Sequence, residues 1–161
     1  MDVLLLCGYF EPKYQEEISR KTKTWVENAA NIFQQRLIDG LASQKINLKI
    51  LSAPFIGPWP TCYKDFSFHG FEIGQSEKEI QYVSFNNIWG YRNISRSLAL
   101  KDYVNRFVVN SKSKNKTIIV YCPHTPFLEA ACFGKKLDSS IHIHMVVPDL
   151  PQYMNLSKKA H

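Results

Sequence analysis

Residues 117–134 read TIIVYCPHTPFLEAACFG, and this stretch indicates the fold class. Its first six residues are mostly β-branched or apolar, which is typical of a strand buried on both faces. Pro123 ends the strand, and Thr125 followed by Pro126 is a typical helix start. Gly134, followed by two lysines, is a typical helix end. A strand that leads through a tight turn into a helix is the repeating unit of a parallel α/β sheet.

The same alternation extends over the rest of the chain. Apolar runs predict four more strands, and helical spacing of apolar residues predicts two more helices, the first with Phe33 and Leu37 on its core face. The predicted strands are Val3–Cys7, Ile46–Leu51, Tyr82–Phe85 and Ile141–Val147, and the predicted helices run from Val26 to Leu41 and from Ser95 to Val108. We therefore predict one α/β domain over residues 1–161, a Rossmann-like three-layer αβα sandwich with a mostly parallel sheet.

Two segments do not fit the alternation. Residues 11–23 are polar and are interpreted as a long connection. Residues 53–71 contain three prolines, two glycines and six aromatic residues, too much proline for a central strand. We interpret them as an insertion in the domain. Its aromatic residues and Lys64 suit a membrane surface or a lipid-linked molecule, or they simply cover the core.

Composition sets broad limits on function. A chain of 161 residues with 45% apolar residues can bury a sizeable core. Its net charge of +6 is spread along the chain without a dense basic block, and it suits anionic membranes, phosphate-bearing substrates or nucleic acid without choosing among them. The partners that we predict do not include nucleic acid. Four scattered cysteines match no zinc spacing and favour a reducing compartment. The start, MDVLLLC, is too short for a signal peptide or a membrane span, so we predict a cytoplasmic protein.

Candidate site residues follow the predicted strands, because ligands of open α/β sheets bind beyond the carboxyl ends of the strands. They are Gly8, Tyr9 and Glu11 after the first strand, Asn87 after the third, His124 after the fourth and Asp149 after the last. His124 lies at a helix N-terminus, which disfavours the imidazolium form, and a neutral imidazole suits a sugar hydroxyl. His124 could equally satisfy only backbone groups of the turn, and a lone Asp such as Asp149 is more often a solvated turn residue than a ligand contact.

Other chemistries have weaker support in the sequence. His142 and His144 share one strand face, but no third metal ligand is evident, so we predict the polar face of an edge strand and no metal. Gly8 stands alone, without the glycine patterns of dinucleotide sites or P-loops, and no G-x-S-x-G motif is present. Cys122 precedes His124 by two residues, but a cysteine at a strand end is more often a core residue. A hydrolase would need an activated nucleophile that we do not find.

The order of these features resembles the N-terminal half of a GT-B-type retaining glycosyltransferase of bacterial polysaccharide biosynthesis. Four stretches carry the resemblance and together span most of the chain: VLLLCGYF, the helix around VENAANIF, PHTPFLEAA after a strand, and VVPDLPQYMN after the last strand. The resemblance implies that His124 hydrogen-bonds the donor sugar and that Gly8 lets the chain approach its phosphates. It places Tyr9, Glu11, Asn87 and Asp149 along the cleft.

The resemblance also implies partners for the domain. The family has a second, C-terminal half that holds the nucleotide sugar, and its acidic motif does not occur in this chain, so we expect an excised N-terminal domain or one subunit of a split enzyme. No metal or other cofactor is implied, and the acceptor would be a saccharide or a lipid-linked molecule, with peripheral membrane contact. The rival hypothesis is a non-enzymatic Rossmann-like interaction or membrane-docking module that uses residues 53–71.

Overall fold

The computed structural model describes residues 1–24, 26, 28–75 and 78–148. These residues contain eight strands and four helices. In chain order they are β1 (Asp2–Cys7), α1 (Pro12–Lys21), α2 (Asn28–Ala42), β2 (Asn47–Ser52), β3 (Ser67–Phe68), β4 (Glu72–Gln75), β5 (Lys78–Tyr82), β6 (Phe85–Asn86), α3 (Arg92–Asn110), β7 (Lys116–Tyr121), α4 (Thr125–Leu137) and β8 (His142–Val146).

Six strands form the main sheet in the order β4-β5-β2-β1-β7-β8. Five of them run parallel, and β4 at one edge is antiparallel to β5. Strand β1 is buried from Val3 to Cys7, as expected for a central strand that helices cover on both faces. After β1 the chain forms β2 on one side of β1, and later it crosses to form β7 on the other side of β1. The topological switch point therefore lies between β1 and β7.

The helices complete a three-layer sandwich. α1 and α2 connect β1 to β2, and α4 connects β7 to β8 in the opposite direction across the sheet. Because both crossovers are right-handed, α1 and α2 lie on one face of the sheet and α4 lies on the other. α3 packs against α4. A Cβ atom on Gly134 would lie 2.8 Å from Ile118 and from Val104, so this glycine allows the close packing. The predicted Rossmann-like αβα fold with a mostly parallel sheet is confirmed.

Three predicted element boundaries are wrong. Residues 12–21 form α1 instead of a connection, because Pro12 suits a first helical position and the Glu17 and Lys21 side chains pair at 2.7 Å across one turn. The third parallel strand ends at Tyr82, and the next two-residue strand, β6, pairs with β3 in a separate small sheet. α4 continues past Gly134 to Leu137.

The predicted core face of the first long helix is only partly confirmed, because Leu37 and Leu41 pack against the core but are only partly buried. In α2 the buried residues are Asn31, Gln34 and Ile38, whereas Phe33 is 46% exposed. The buried amides of Asn31 and Gln34 accept hydrogen bonds from the loop after β1. None of the described helices is long and apolar enough to cross a membrane.

Candidate functional site at the switch point

The ends of β1 and β7 meet at one rim of the sheet. Leu6 of β1 is aligned with Val120 of β7, so the loop that begins at Gly8 and the turn that leads to His124 leave the sheet side by side. Cys122, in that turn, adopts a φ of 60°, which is uncommon for a residue with a side chain. Such strained positions concentrate at functional sites, which makes this rim the candidate site.

His124 occupies the N-cap position of α4. Its backbone oxygen accepts hydrogen bonds from the N–H groups of Phe127 (3.0 Å) and Leu128 (3.1 Å), which start the helix. The imidazole stands edge-on between the rings of Phe55 and Phe127, with centroid distances of 5.4 and 4.9 Å. Its Nδ1 atom is buried and has no hydrogen-bond partner among the described residues. One polar atom of the ring is therefore unpaired, and a ligand can reach it only if the side chains around it move.

The His124 side chain is neutral near pH 7. Its pKa is lowered from 6.5 to about 4, mainly by burial and to a smaller extent by the guanidinium groups of Arg96 and Arg92. The neutral form agrees with the expectation from the helix N-terminus, although burial is the larger cause. A neutral imidazole has one donor and one acceptor nitrogen, so it can hydrogen-bond a hydroxyl group in either direction.

Two arginines of α3 hold the segment that covers the rim. Arg96 is fully buried, and its Nη2 donates to Pro54 O at 2.8 Å. Its guanidinium lies 4.2 Å from the centroid of the Phe85 ring. Arg92 Nη1 donates to Ile56 O at 3.1 Å. Burial lowers the pKa of Arg96, and the Arg92 charge lowers it further, but a guanidinium stays protonated in proteins. Both positive charges therefore lie near His124.

Phe55 fills the space above Gly8. A Cβ atom on Gly8 would lie 2.4 Å from two atoms of the Phe55 ring, and the same ring contacts Tyr121 and His124. The Gly8 N–H donates to Gln34 Oε1 at 2.8 Å. The predicted phosphate approach to Gly8 therefore requires both the Phe55 ring and the Gln34 amide to move.

The loop after β1 is held by amides of α2. The Phe10 N–H donates to Asn31 Oδ1 at 2.9 Å, and Asn31 Nδ2 donates back to Phe10 O at 2.8 Å. Together with the bond between Gly8 and Gln34, these contacts fix residues 8–10 at the rim. The sequence signal for them was that Asn31 and Gln34 are three positions apart and therefore share one face of the helix.

Tyr9 and Glu11 line a different part of the rim from His124. They border a cavity of about 290 Å³ together with Lys13 and Asp39. Burial raises the pKa of Tyr9 to about 12, so its hydroxyl is a neutral donor and acceptor. Glu11 pairs with Lys13 at 3.0 Å. The structure thus places both predicted residues at the carboxyl edge of the sheet, but in a cavity that His124 does not line.

Asn87 is not brought to His124. Asn87 follows β6 and not the third parallel strand, so the reasoning that selected it was wrong. It is fully buried, and its Nδ2 donates to Gly57 O at 2.7 Å, which holds the same covering segment as Arg96. Asp149 lies outside the described residues.

An aromatic cavity of about 220 Å³ opens on the same edge of the sheet. Tyr14 and Tyr82 both contact Phe71, with ring centroids 4.5 and 4.3 Å from the Phe71 centroid. At its border Lys21 pairs with Glu17 at 2.7 Å and with Asp65 at 2.9 Å. Sequence reasoning missed this cavity because helix α1, which forms one wall, was not predicted.

The opposite edge of the sheet carries a cavity of about 520 Å³ that Asp2, Asn47 and Arg106 line. It lies at the amino ends of the strands, where α/β sheets do not usually bind ligands. We therefore place the candidate site at the carboxyl rim, despite the larger volume of this cavity.

His142 and His144 are exposed on the edge strand β8. Within the described part of the chain, no group of three His, Cys, Asp or Glu side chains is placed to hold a metal ion. Comparison of the chain with protein-family models, curated proteins and solved structures found no match. Function is therefore inferred from the geometry of the rim.

Proposed function

We propose that the chain is the acceptor-side domain of a glycosyltransferase, which moves a sugar from a nucleotide-sugar donor to a saccharide or lipid-linked acceptor. The observation that carries the proposal is the neutral imidazole of His124 at the switch point, with an unpartnered buried nitrogen. In this proposal His124 hydrogen-bonds the donor sugar beside the reacting carbon. A second Rossmann-like half, as in the GT-B enzymes that the sequence resembles, holds the nucleotide.

The charges around the rim support an anionic donor. Arg92 and Arg96 lie close enough to His124 to lower its pKa, and within the described residues their guanidinium groups donate to backbone oxygens and to no carboxylate. Their field favours a diphosphate that approaches the rim. The same field keeps His124 neutral, which suits hydrogen bonding to a hydroxyl better than to a phosphate.

The aromatic cavity is the proposed place of the acceptor. Its lining is mostly apolar rings, with charged and polar groups at the border, which is the usual composition of a small-molecule site. It opens on the edge of the sheet that also carries His124, so an acceptor and a donor would approach the same rim. The isolated chain is expected to bind acceptor weakly and to transfer nothing, and measurable transfer by the chain alone would contradict the half-enzyme proposal.

The test is the His124→Ala variant in the transferase that contains both halves, with His144→Ala as the matched control. We expect kcat to fall about 100-fold or more for His124→Ala, because a hydrogen bond to the reacting sugar is lost. The His144→Ala variant, altered on the exposed edge strand, should keep its kcat, and both variants should stay folded by circular dichroism. A His124→Ala enzyme with near-normal turnover would refute the assigned role.

A non-enzymatic interaction module is the second candidate, and the position of Phe55 favours it. The ring fills the place above Gly8 that a donor phosphate would need, and Arg96 and Asn87 hold the covering segment closed. An interaction module should bind its partner equally well with His124→Ala. A transferase domain should lose affinity for nucleotide sugar in that variant.

A further inference from the structure

An exposed aromatic surface lies where the 53–71 insertion meets the start of α3. Backbone hydrogen bonds hold the segments together: Trp59 N–H to Asn87 O (2.8 Å), Trp89 N–H to Trp59 O (3.4 Å) and Asn87 N–H to Phe66 O (2.7 Å). We call the exposed side chains that they carry the rim patch: Trp59, Phe66, Ile88, Trp89 and Tyr91. Trp89 is 76% exposed and Phe66 is 59% exposed, which is unusual for such large apolar groups.

The rim patch continues along the first turns of α3. Tyr91, Ile94 and Leu98 are spaced three and four residues apart, and all three are exposed. The inner side of the same helix is formed by other residues, among them Leu100 and Val104, so the helix is already packed without this stripe. A contiguous apolar surface of this kind marks a place where the protein contacts something else.

The charge around the rim patch is positive. The sequence has no Asp or Glu between Asp39 and Asp65 or between Glu79 and Asp102, and all of the patch except Phe66 lies within these two runs. Lys23 reaches the border of the patch, where its Nζ donates to Pro60 O at 2.7 Å, and Lys64 is exposed beside Phe66. Asp65, the nearest acid in sequence, is paired with Lys21 at 2.9 Å.

We propose that the rim patch docks the protein on the surface of an anionic phospholipid bilayer. Trp and Tyr rings are favoured at the level of the lipid headgroups, and nearby lysines attract anionic lipids. A second copy of the chain fits less well, because it would bring the same positive surface against itself. The inference concerns surface binding only and does not depend on sugar transfer.

The experiment is vesicle flotation of the chain with phosphatidylcholine vesicles and with vesicles that contain about one third phosphatidylglycerol. We expect binding to the anionic vesicles, weakened when salt is raised from about 0.1 M to about 0.5 M. Trp89→Ala combined with Phe66→Ala should lower the partition coefficient about tenfold or more. Lys23→Glu combined with Lys64→Glu should lower it on the anionic vesicles. Val109→Ala, which removes an exposed apolar group at the far end of α3, should leave it unchanged.

A variant that keeps Trp89 as its only tryptophan provides a second readout. Its fluorescence should shift to shorter wavelength on anionic vesicles, because the indole leaves water. The proposal is overturned by no binding, by equal binding to both vesicle types, or by a partition coefficient that does not respond to Trp89→Ala with Phe66→Ala. Self-association in solution that is lost in the same variant, without vesicle binding, would assign the patch to a second copy instead.

Discussion

Gly8 and Phe55 depend on one another. The Phe55 ring occupies the volume that a side chain at position 8 would need, so we expect Gly8→Ala to destabilise the fold by about 1–3 kcal/mol. In a Phe55→Ala background, Gly8→Ala should leave the free energy of unfolding unchanged. A double-mutant cycle followed by urea denaturation measures this coupling. Gly40→Ala is the control: it has open space in α2 and should stabilise the protein by about 1 kcal/mol. A cost of Gly8→Ala that persists without the Phe55 ring would show that the ring is not the obstacle.

His124 makes stability depend on pH in a defined direction. Its pKa is about 4 in the folded chain and 6.5 in the reference state, so the folded state binds this proton less readily. The contribution of the neutral imidazole to the free energy of unfolding is complete above pH 6.5 and is lost as the pH falls toward 4. Its size is about 2 kcal/mol, because the ring is partly exposed to solvent. His124→Gln should reduce the loss of stability between neutral and acid pH, measured by urea denaturation, and His144→Gln should not. Equal pH dependence in both variants would contradict the buried neutral imidazole.

Sequence reasoning found His124 and Gly8 because each directly follows a strand, and the ends of parallel strands gather at one rim. It missed Phe55 and Arg96, whose positions depend on how residues 53–58 fold back over β1. Such long-range contacts leave no periodic signal in the sequence. Asn87 was selected from a strand that ends three residues earlier than predicted.

At the level of secondary-structure elements, α2 is the helix that orders the loop after β1. We expect Gln34→Leu to destabilise the fold by about 1–3 kcal/mol, because the buried Gly8 N–H loses its acceptor. Hydrogen exchange at the Gly8 amide should accelerate in this variant. Gln35→Leu, one position away and partly exposed, is the control and should change little. An unchanged Gly8 exchange rate in Gln34→Leu would contradict the role of α2.

The strongly apolar elements could be predicted from the sequence, and the polar ones could not. β1, β2, β7 and β8 are continuous or alternating apolar runs and lie within one or two residues of their predicted bounds. α1 was not predicted, because Ile18 is its only buried residue and its sequence therefore lacks a clear helical spacing of apolar residues. The core face of α2 was partly misplaced because its buried amides satisfy the backbone of another segment, which outweighs the usual preference for apolar residues inside.

At the level of the whole molecule, the order of the strands places the candidate site. The alternation of elements was sufficient to predict a Rossmann-like sandwich, but the strand order, and with it the switch point between β1 and β7, became known only from the pairing. The two edges of the sheet also differ in character: the carboxyl edge carries His124, the aromatic cavity and the rim patch, whereas the amino edge carries the cavity near Asn47. A sugar ligand is therefore expected at only one edge.

The most direct measurement of this expectation is amide chemical-shift mapping of the labelled chain with millimolar UDP-glucose, UDP-galactose and GDP-mannose in turn. A rim site predicts that at least one of them perturbs the amides of Gly8, Ile56, Cys122, His124 and Thr125, and that His124→Ala weakens the effect. Perturbation confined to the amino edge around Asn47 and Ser111 would contradict a sugar site at the switch point.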